Sequence, residues 1–314
     1  MSNTARKIDG PAIIDPACYA TAAEAIRDEA ARLLNEEAVT AVIGYRTGRR
    51  KGSAMPAIVT KAEQVAELIF SPACVNNLAL YLTRKKKEIP QKGKVAVVAK
   101  GCDMKALAGL FGESQVKREE VVILGVACAG VAGKNGNGEV FTADRLAAKC
   151  RRCQAHTPEG ADVVVGSLPA QLPTPPEEGD ELARLEALAP AERWVFWKEH
   201  FSRCTRCYAC RQVCPLCYCE QCLCDRNRPQ AVESTPRPAG NMAWHIVRAM
   251  HLTGRCGGCA ECERVCPMEI PLHLLNRKMA KELKQLYGHE AGFEPAEKGP
   301  LNDYRESDDQ SFIK

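Results

Sequence analysis

The sequence has no long apolar run and few aromatic residues. No stretch of eighteen or more apolar residues occurs in its 314 residues, so a membrane-spanning helix is not expected. Residues 1–14 have no apolar core of the secretory signal type, which favours a cytoplasmic protein. Hydrophobic residues make up 46% and aromatic residues only 5% of the chain, which gives enough apolar material for two domain cores.

The common signatures of nucleotide binding and hydrolysis are also missing. There is no Walker loop, no G-x-G-x-x-G after a predicted strand, no HExxH and no Ser nucleophile paired with a His. The basic runs 49–51 and 84–87 lack interleaved aromatics, so nucleic acid is not an expected partner. The loop TGRRKGS reads best as a solvated hairpin, although its glycine and basic side chains could also hold the phosphate of an FAD: Gly48, Arg49, Arg50 and Lys51.

The chain is rich in cysteine, with eighteen residues of this type. The pattern CxxCxxCxxxCP occurs twice, and it is the ligand run of a two-cluster bacterial-type ferredoxin. In that arrangement three thiolates of a run bind one [4Fe-4S] cluster, and the fourth reaches the other cluster. The first predicted set is therefore Cys204, Cys207, Cys210 and Cys266. The second predicted set is Cys256, Cys259, Cys262 and Cys214.

Zinc and disulfides are the alternatives for these cysteines. A zinc ribbon uses two CxxC pairs and gains nothing from a third cysteine at the next two-residue step or from the trailing proline. Disulfides are disfavoured in a chain without a signal segment. Each cluster with its four thiolates contributes a charge of about −2, so two clusters would bring the formal charge of +4 to about 0.

Two further groups of four cysteines could bind metal. Cys102 and Cys128 each follow a predicted strand, where α/β domains place their sites, and a CxxC comes after them. The third predicted set is Cys102, Cys128, Cys150 and Cys153, the alternative being two buried thiols and a redox-active CxxC. The CYCEQCLC run could bind a fourth cluster or zinc, or hold spare thiols: Cys217, Cys219, Cys222 and Cys224.

Hydrophobic periodicity predicts two domains of different class. Residues 1–166 alternate between helices and strands, which predicts an α/β N-terminal domain with a mostly parallel sheet. A proline-rich linker at 167–180 follows. Residues 181–290 form a mainly α-helical domain for the two ferredoxin clusters, and 291–314 a charged tail. The predicted strands are 41–46, 94–99, 121–126 and 162–166, and the predicted helices 21–35, 61–70, 104–111, 182–200, 242–251 and 272–287.

Three segments carry a resemblance to known families. KVAVVAKGCDMKALAGLFGESQVKREEVVILGVAC, with the later KCRRC, resembles the beta-subunit family of deazaflavin-coenzyme-reducing hydrogenases and formate dehydrogenases, over about residues 20–170. RCYACRQVCPLCYCEQC and HLTGRCGGCAECERVCPMEIPL resemble the dicluster ferredoxin domains of heterodisulfide-reductase-linked complexes.

The resemblance implies a subunit that relays electrons between other subunits of an oxidoreductase complex through its iron-sulfur clusters. Such a complex would be a hydrogenase, a formate dehydrogenase or a heterodisulfide-reductase-like assembly, and it could bifurcate electrons. The alternative is a flavin-dependent oxidoreductase subunit that acts directly on a deazaflavin or nicotinamide coenzyme. No residue set for a flavin ring pocket is visible in the sequence, so the relay is the favoured hypothesis.

Overall fold

The computed structural model describes residues 14–83, 93–133, 141–169, 172, 180–230, 232–233, 235–292, 299–300, 304, 306–307 and 310–311. The chain forms two compact units. The first comprises Met1–Leu82, Lys86–Met104 and Arg118–Glu177, and the second Thr83–Lys85, Lys105–Lys117 and Glu178–Lys314. Most of the predicted linker and of the predicted charged tail lies outside the described residues, and the predicted domain limits stay a prediction.

A five-stranded sheet is the centre of the first unit. Its strands are β1 (Ala41–Thr47), β2 (Ala54–Val59), β3 (Val95–Ala99), β4 (Val121–Val126) and β5 (Val163–Val165). The order is β2-β1-β3-β4-β5; β1 and β2 form an antiparallel hairpin, and the other neighbours are parallel. The central strand β3 is buried along its whole length, as parallel strands covered on both faces are. The predicted α/β class with a mostly parallel sheet is confirmed.

Helix α1 (Ala17–Asn35) precedes the sheet and buries one face that includes Ala22, Ile26 and Leu33. The helix begins before the Thr21 that the sequence suggested as its start. Pro16 already has helical dihedral angles, so the first turn forms ahead of the T-x-x-E pattern. The predicted helix 61–70 is a single 3₁₀ segment, Ala62–Glu67.

Among its described residues, the α-helices are the main regular elements of the second unit. They are α3 (Glu181–Ala187), α4 (Pro190–Ser202), α5 (Ala209–Gln212), α6 (Pro238–His251), α7 (Glu261–Arg264) and α8 (Leu272–Tyr287). The single helix expected over 182–200 is broken between α3 and α4, because Pro190 cannot continue a helix and starts the second one. Helix α6 packs on α4 and α8.

The remaining helix, α2 (Gly101–Gly112), starts directly after β3. Its residues from Lys105 onward belong to the second unit. There Glu113 accepts two hydrogen bonds from the guanidinium of Arg255 and one from the hydroxyl of Tyr218, the last at 2.7 Å. Among the described residues, no helix combines the length and the apolar character that crossing a bilayer would require.

Candidate iron-sulfur sites

The two ferredoxin-type loops share one backbone conformation. The residue just before the second cysteine of each run has a left-handed φ, 56° at Arg206 and 74° at Gly258. The residue just after that cysteine is left-handed too, 58° at Tyr208 and 53° at Ala260, and each begins a four-residue helix. Such a conformation costs a non-glycine residue about 1–2 kcal/mol, so its recurrence indicates that both loops are shaped around the same kind of object.

Each loop also directs a backbone N–H at its first cysteine. The amide of Arg206 donates to the sulfur of Cys204 at 3.4 Å, and the amide of Gly258 bonds the sulfur of Cys256. A hydrogen bond of this type stabilises negative charge on a sulfur ligand and tunes the potential of an iron-sulfur site.

The first predicted set of four cysteines comes together in the second unit. All four line one cavity, which also has Trp244 and His245 in its wall. The pKa of Cys210 is raised to about 11, first by burial and then by the charges of Cys204, Cys266 and Cys207. Cys266 therefore lies with the three thiols of the other run, although it belongs to the second CxxCxxCxxxCP motif.

The second predicted set is brought together in the same way. Burial raises the pKa of Cys262 well above its ordinary value, and the charges of Cys256 and Cys259 raise it further. Cys214 from the first motif lies close enough to Cys259 for the two charges to interact. Within hydrogen-bond reach of Cys214 there is a fifth thiol, that of Cys217.

The third predicted set gathers at the carboxyl edge of the sheet in the first unit. Cys102 lies in the first turn of α2, Cys128 follows β4, and Cys150 begins a one-turn 3₁₀ helix that Cys153 ends. The pKa of Cys128 is raised to about 12, first by burial and then by Cys150, with a smaller contribution from Cys153. Burial and the charge of Asp103 raise the pKa of Cys102, and Cys128 adds to the effect.

A glycine allows the segment after Cys153 to approach the start of α2. A Cβ atom added at Gly101 would lie 1.8 Å from the carbonyl oxygen of Ala155, a distance that no real contact has. The amide of Val131 donates to the sulfur of Cys150 at 3.3 Å, and the amide of Cys128 bonds the carbonyl of His156 at 2.9 Å. The chain is thus held closely around these four thiols.

The four cysteines of the CYCEQCLC run have different neighbours. All four of its thiols line a cavity of about 530 Å³, together with Arg211, Arg248 and Arg255. Cys222 and Cys224 form a hydrogen-bonded pair, and burial followed by the charge of Cys222 raises the pKa of Cys224 to about 12. Cys217 instead adjoins Cys214 of the second set, and Cys219 is exposed. The fourth cluster stays a prediction, with its thiols around one cavity but not in one tight group.

The two arginines that flank the first run have different surroundings. Arg206 is 7% exposed and donates to the side-chain oxygen of Asn241 at 2.9 Å and to the carbonyl of Gly240 at 2.8 Å. Its guanidinium lies over the Trp244 ring, 5.5 Å from the centroid. Arg211 forms a salt bridge with Asp225. Arg206 is thus buried among the ligand loops, whereas the charge of Arg211 is balanced by a carboxylate.

The loop proposed for a flavin phosphate is the tip of the β1–β2 hairpin. Gly48 donates its N–H to the carbonyl of Ser53 at 2.8 Å, and the basic side chains of residues 49–51 are exposed. This is the solvated hairpin that the sequence favoured. A flavin-binding role of Gly48, Arg49, Arg50 and Lys51 stays a prediction.

The chemistry of the site fits an iron-sulfur cluster. Among the described residues, no group of three or more His, Cys, Asp or Glu side chains is arranged to bind a single metal ion. A cubane holds its four thiolates farther apart than one ion does, and the three sets offer sulfur donors throughout. Two buried guanidinium nitrogens of the second unit, Nη1 of Arg206 and Nε of Arg248, have no hydrogen-bond partner in the described part of the chain. Cationic donors of this kind suit an anionic group with sulfur acceptors.

Sequence reasoning missed several buried polar residues around the cysteines. Arg248 on α6 and Asn276 on α8 are each 7% exposed, and the amide of Asn276 points at the sulfur of Cys262 at 3.8 Å. In the first unit, the fully buried Lys100 and Asp103 form a salt bridge of 2.9 Å beside Cys102. The available signal for Arg248 was a lone charge four residues after Trp244, on the apolar face of an amphipathic helix.

Comparison with known proteins gives two curated relatives. The chain is 22% identical to the F420-dependent formate dehydrogenase subunit beta of Methanocaldococcus jannaschii, over 83% of this chain and 89% of that protein. It is also 22% identical to the F420-dependent formate dehydrogenase 1 subunit beta of Methanococcus maripaludis, over 83% of this chain and 88% of the relative. No family model matches the chain.

A chain of the F420-reducing [NiFe] hydrogenase complex from Methanosarcina barkeri is a structural match with 18% identity and a TM-score of 0.29, covering 37% of this chain and 39% of that one. The resemblance indicated by the segment that begins KVAVVAKGCD and by the later KCRRC is confirmed by the sequence relatives. Over most of its length this chain is similar to the beta subunits of F420-dependent formate dehydrogenases.

Proposed function

We propose that this chain is the iron-sulfur electron-transfer subunit of a multi-subunit oxidoreductase of the formate dehydrogenase or hydrogenase kind. The observation that carries the proposal is the cavity lined by Cys204, Cys207, Cys210 and Cys266, four thiols from two separate motifs. The curated relatives support it, since they are named as beta subunits of formate dehydrogenases. A heterodisulfide-reductase-like partner stays within the proposal on the resemblance of the cysteine motifs alone.

The first two sets would bind the clusters of a dicluster ferredoxin domain in the second unit. When bound, a [4Fe-4S] cluster supplies reversible one-electron transfer. The chain contributes the thiolates, the backbone amides of Arg206 and Gly258 that donate to sulfur, and a mostly buried setting that excludes water. Cys207 is the exposed thiol of the first set, so this ligand would offer the point of closest approach for a redox partner.

The third set would give the first unit a redox site of its own. Its support is the mutual proximity of Cys128, Cys150 and Cys153, with Cys102 beside Cys128. Burial and the charge of Asp103 raise the thiol pKa of Cys102, and the nearby charges of Lys149 and Lys100 partly oppose this rise, which favours the thiolate that binds metal. The CYCEQCLC run is proposed as a fourth site, supported by the cavity that its thiols share.

Metal analysis of the anaerobically purified chain tests the proposal. We expect about 12 irons and an equal amount of acid-labile sulfide when three clusters are present, and about 16 with the fourth. An iron content below about four per chain, together with no signal from a reduced cluster in electron paramagnetic resonance, would refute the relay function. About eight irons would restrict the clusters to the ferredoxin-type sets.

A second candidate function is direct reaction with a deazaflavin or nicotinamide coenzyme through a bound FAD. The observation that favours it is that both relatives are named as subunits of F420-dependent enzymes. The same purified chain decides between the two functions. One flavin per chain, released by denaturation and lost when Arg49, Arg50 and Lys51 are replaced by Gln, would favour catalysis, whereas full iron content without flavin favours the relay.

A further inference from the structure

Arg248 is a buried charge in the second unit. It lies near the end of α6 and is 7% exposed. Its Nη2 donates to the carbonyl oxygen of Cys210 at 3.1 Å, and its Nε is buried with no hydrogen-bond partner in the described part of the chain. Unlike a buried lysine or histidine, the guanidinium cannot lose its charge at any pH at which the protein folds. A full positive charge is therefore present inside the helical unit.

Within the described residues, no carboxylate forms a salt bridge with this guanidinium, although three other arginines of the second unit have such partners. Arg255 is paired with Glu113, Arg264 with Glu261 and Arg211 with Asp225. Burying an unpaired charge is strongly unfavourable, so proteins normally supply a compensating group. Among the residues that the structure describes, no acidic side chain supplies this compensation for Arg248.

The thiols around Arg248 belong to both ferredoxin-type sets. Burial alone would lower the pKa of the guanidinium, and the charges of Cys262, Cys214, Cys217 and Cys210 oppose this and raise it. The effect is mutual, since Arg248 is the largest influence that lowers the thiol pKa of Cys210 in the first set and of Cys262 in the second. One fixed cation thus faces ligands of both predicted clusters.

We propose that Arg248 is the shared counter-ion of the two ferredoxin-type clusters and that its charge raises the reduction potential of both. This inference rests on the proposed binding of clusters by the first and second sets. With four thiolates each site carries about −2, and gaining an electron adds a further negative charge. A buried cation beside the ligands stabilises the reduced form more than the oxidised form, because attraction grows with the charge it meets.

Arg248 is a positioning residue in this account, and redox titration of the whole chain tests it. The variant Arg248→Gln removes the charge and keeps a polar side chain. Arg248→Lys keeps the charge, because the two anionic clusters beside it favour the charged ammonium over the neutral amine. The control Arg203→Gln removes an equal charge next to Cys204, but at an exposed position where solvent screens it. Iron and sulfide are measured on each sample, and cluster reduction is followed by electron paramagnetic resonance against applied potential.

In Arg248→Gln we expect both clusters to show at least a tenfold lower ratio of reduced to oxidised form at a given potential, which corresponds to a downward shift of about 59 mV or more. Arg248→Lys and Arg203→Gln should stay within about twofold of the wild-type ratio. Unchanged potentials in Arg248→Gln, or a shift in one cluster only, would overturn the shared role.

Failure of the inference and failure of the proposed function are distinguishable. If the wild-type protein contains no iron, the proposed binding of clusters is refuted. If the wild type has clusters whose reduction potentials do not change when residue 248 is substituted, only the counter-ion role of Arg248 is refuted. If Arg248→Gln does not bind iron, Arg248→Lys carries the test, because a shift of more than about tenfold in that charge-retaining variant means that the charge is not what sets the potential.

Discussion

Crossed ligation between the two cysteine motifs can be tested by counting iron in double variants. Replacing Cys266 with Ala should remove about four irons per chain, the content of one cluster. Because Cys266 lies in the cavity of Cys204, Cys207 and Cys210, the double variant Cys210→Ala/Cys266→Ala should lose no more iron than either single variant. The double variant Cys262→Ala/Cys266→Ala should lose about eight, since it disables both clusters.

The expected iron losses follow from which thiols lie close to each other. Cys266 and Cys204 interact as charges in the same cavity, whereas the thiols that act on Cys262 most strongly are those of Cys256 and Cys259. Substitutions that act on one site are not additive, and those that act on independent sites add. Alanine is used because serine could retain a ligand oxygen. Iron by colorimetry and acid-labile sulfide on the same anaerobic samples give both numbers.

The opposite pattern would refute this reasoning. If Cys262→Ala/Cys266→Ala lost only about four irons and Cys210→Ala/Cys266→Ala lost about eight, each motif would bind its own cluster without crossing. Cys18→Ala serves as the control, because this thiol donates to the carbonyl of Asp15 and lies in none of the predicted sets. Its iron content should equal that of the wild type.

Three further predictions concern single sites. Gly101→Ala should remove the iron of the third set, about four per chain, because the added methyl group meets the carbonyl of Ala155; iron analysis measures this. Arg206→Met should lower the free energy of unfolding by about 3–5 kcal/mol in chemical denaturation, since it breaks three hydrogen bonds of a buried cation. Burial, followed by the charges of Arg248 and Arg206, lowers the pKa of His245 to about 3, so the folded state binds fewer protons than the unfolded state below about pH 6.5. The free energy of unfolding should therefore fall by about 1.4 kcal/mol for each pH unit below that value, measured by denaturation at pH 7 to 5.

Each of these predictions has a matched control. Gly133→Ala should keep its iron, because the nearest atoms to an added Cβ lie at 3.5 Å, and equal iron loss in both glycine variants would contradict the close-packing argument. The exposed Arg203→Met should change the unfolding free energy by less than about 0.5 kcal/mol. His245→Phe should unfold with a smaller dependence on pH, and an unchanged dependence would assign it to other groups.

The sequence predicted the sheet better than the helices. The strand 121–126 and the helix 272–287 coincide with β4 and α8, because an apolar run and a clear amphipathic period leave little ambiguity. The expected helix 182–200 was wrong where Pro190 divides it, although the apolar pattern continues across the break. Strand β2 went unassigned, since its only cue was the hairpin loop before it.

The sites were predicted from cysteine spacing, so the buried charged residues around them were not predicted. The three sets of cysteines could be written down from CxxC spacing and strand ends alone. The one sequence signal that distinguishes the buried Arg248 from the exposed Arg203 is its place on the apolar face of an amphipathic helix, and the sequence does not show which helix face meets the ligand loops. Nor could the sequence reveal that the thiol of Cys217 interacts with Cys214 of the second set.

In the first ferredoxin-type loop, Arg206 occupies a left-handed backbone position that suits glycine. The second loop uses Gly258 there, with nothing within 4 Å of an added Cβ. In the first loop the strain of a non-glycine residue is offset by the hydrogen bonds of the guanidinium to Asn241, Glu233 and Gly240. The same side chain therefore holds α6 against the ligand loop and adds a positive charge near Cys204, whose thiol pKa it lowers against the larger, opposing effect of burial. Arg206 acts on the first set, whereas Arg248 acts on both, so the potentials of the two clusters should differ even though their loops have the same backbone.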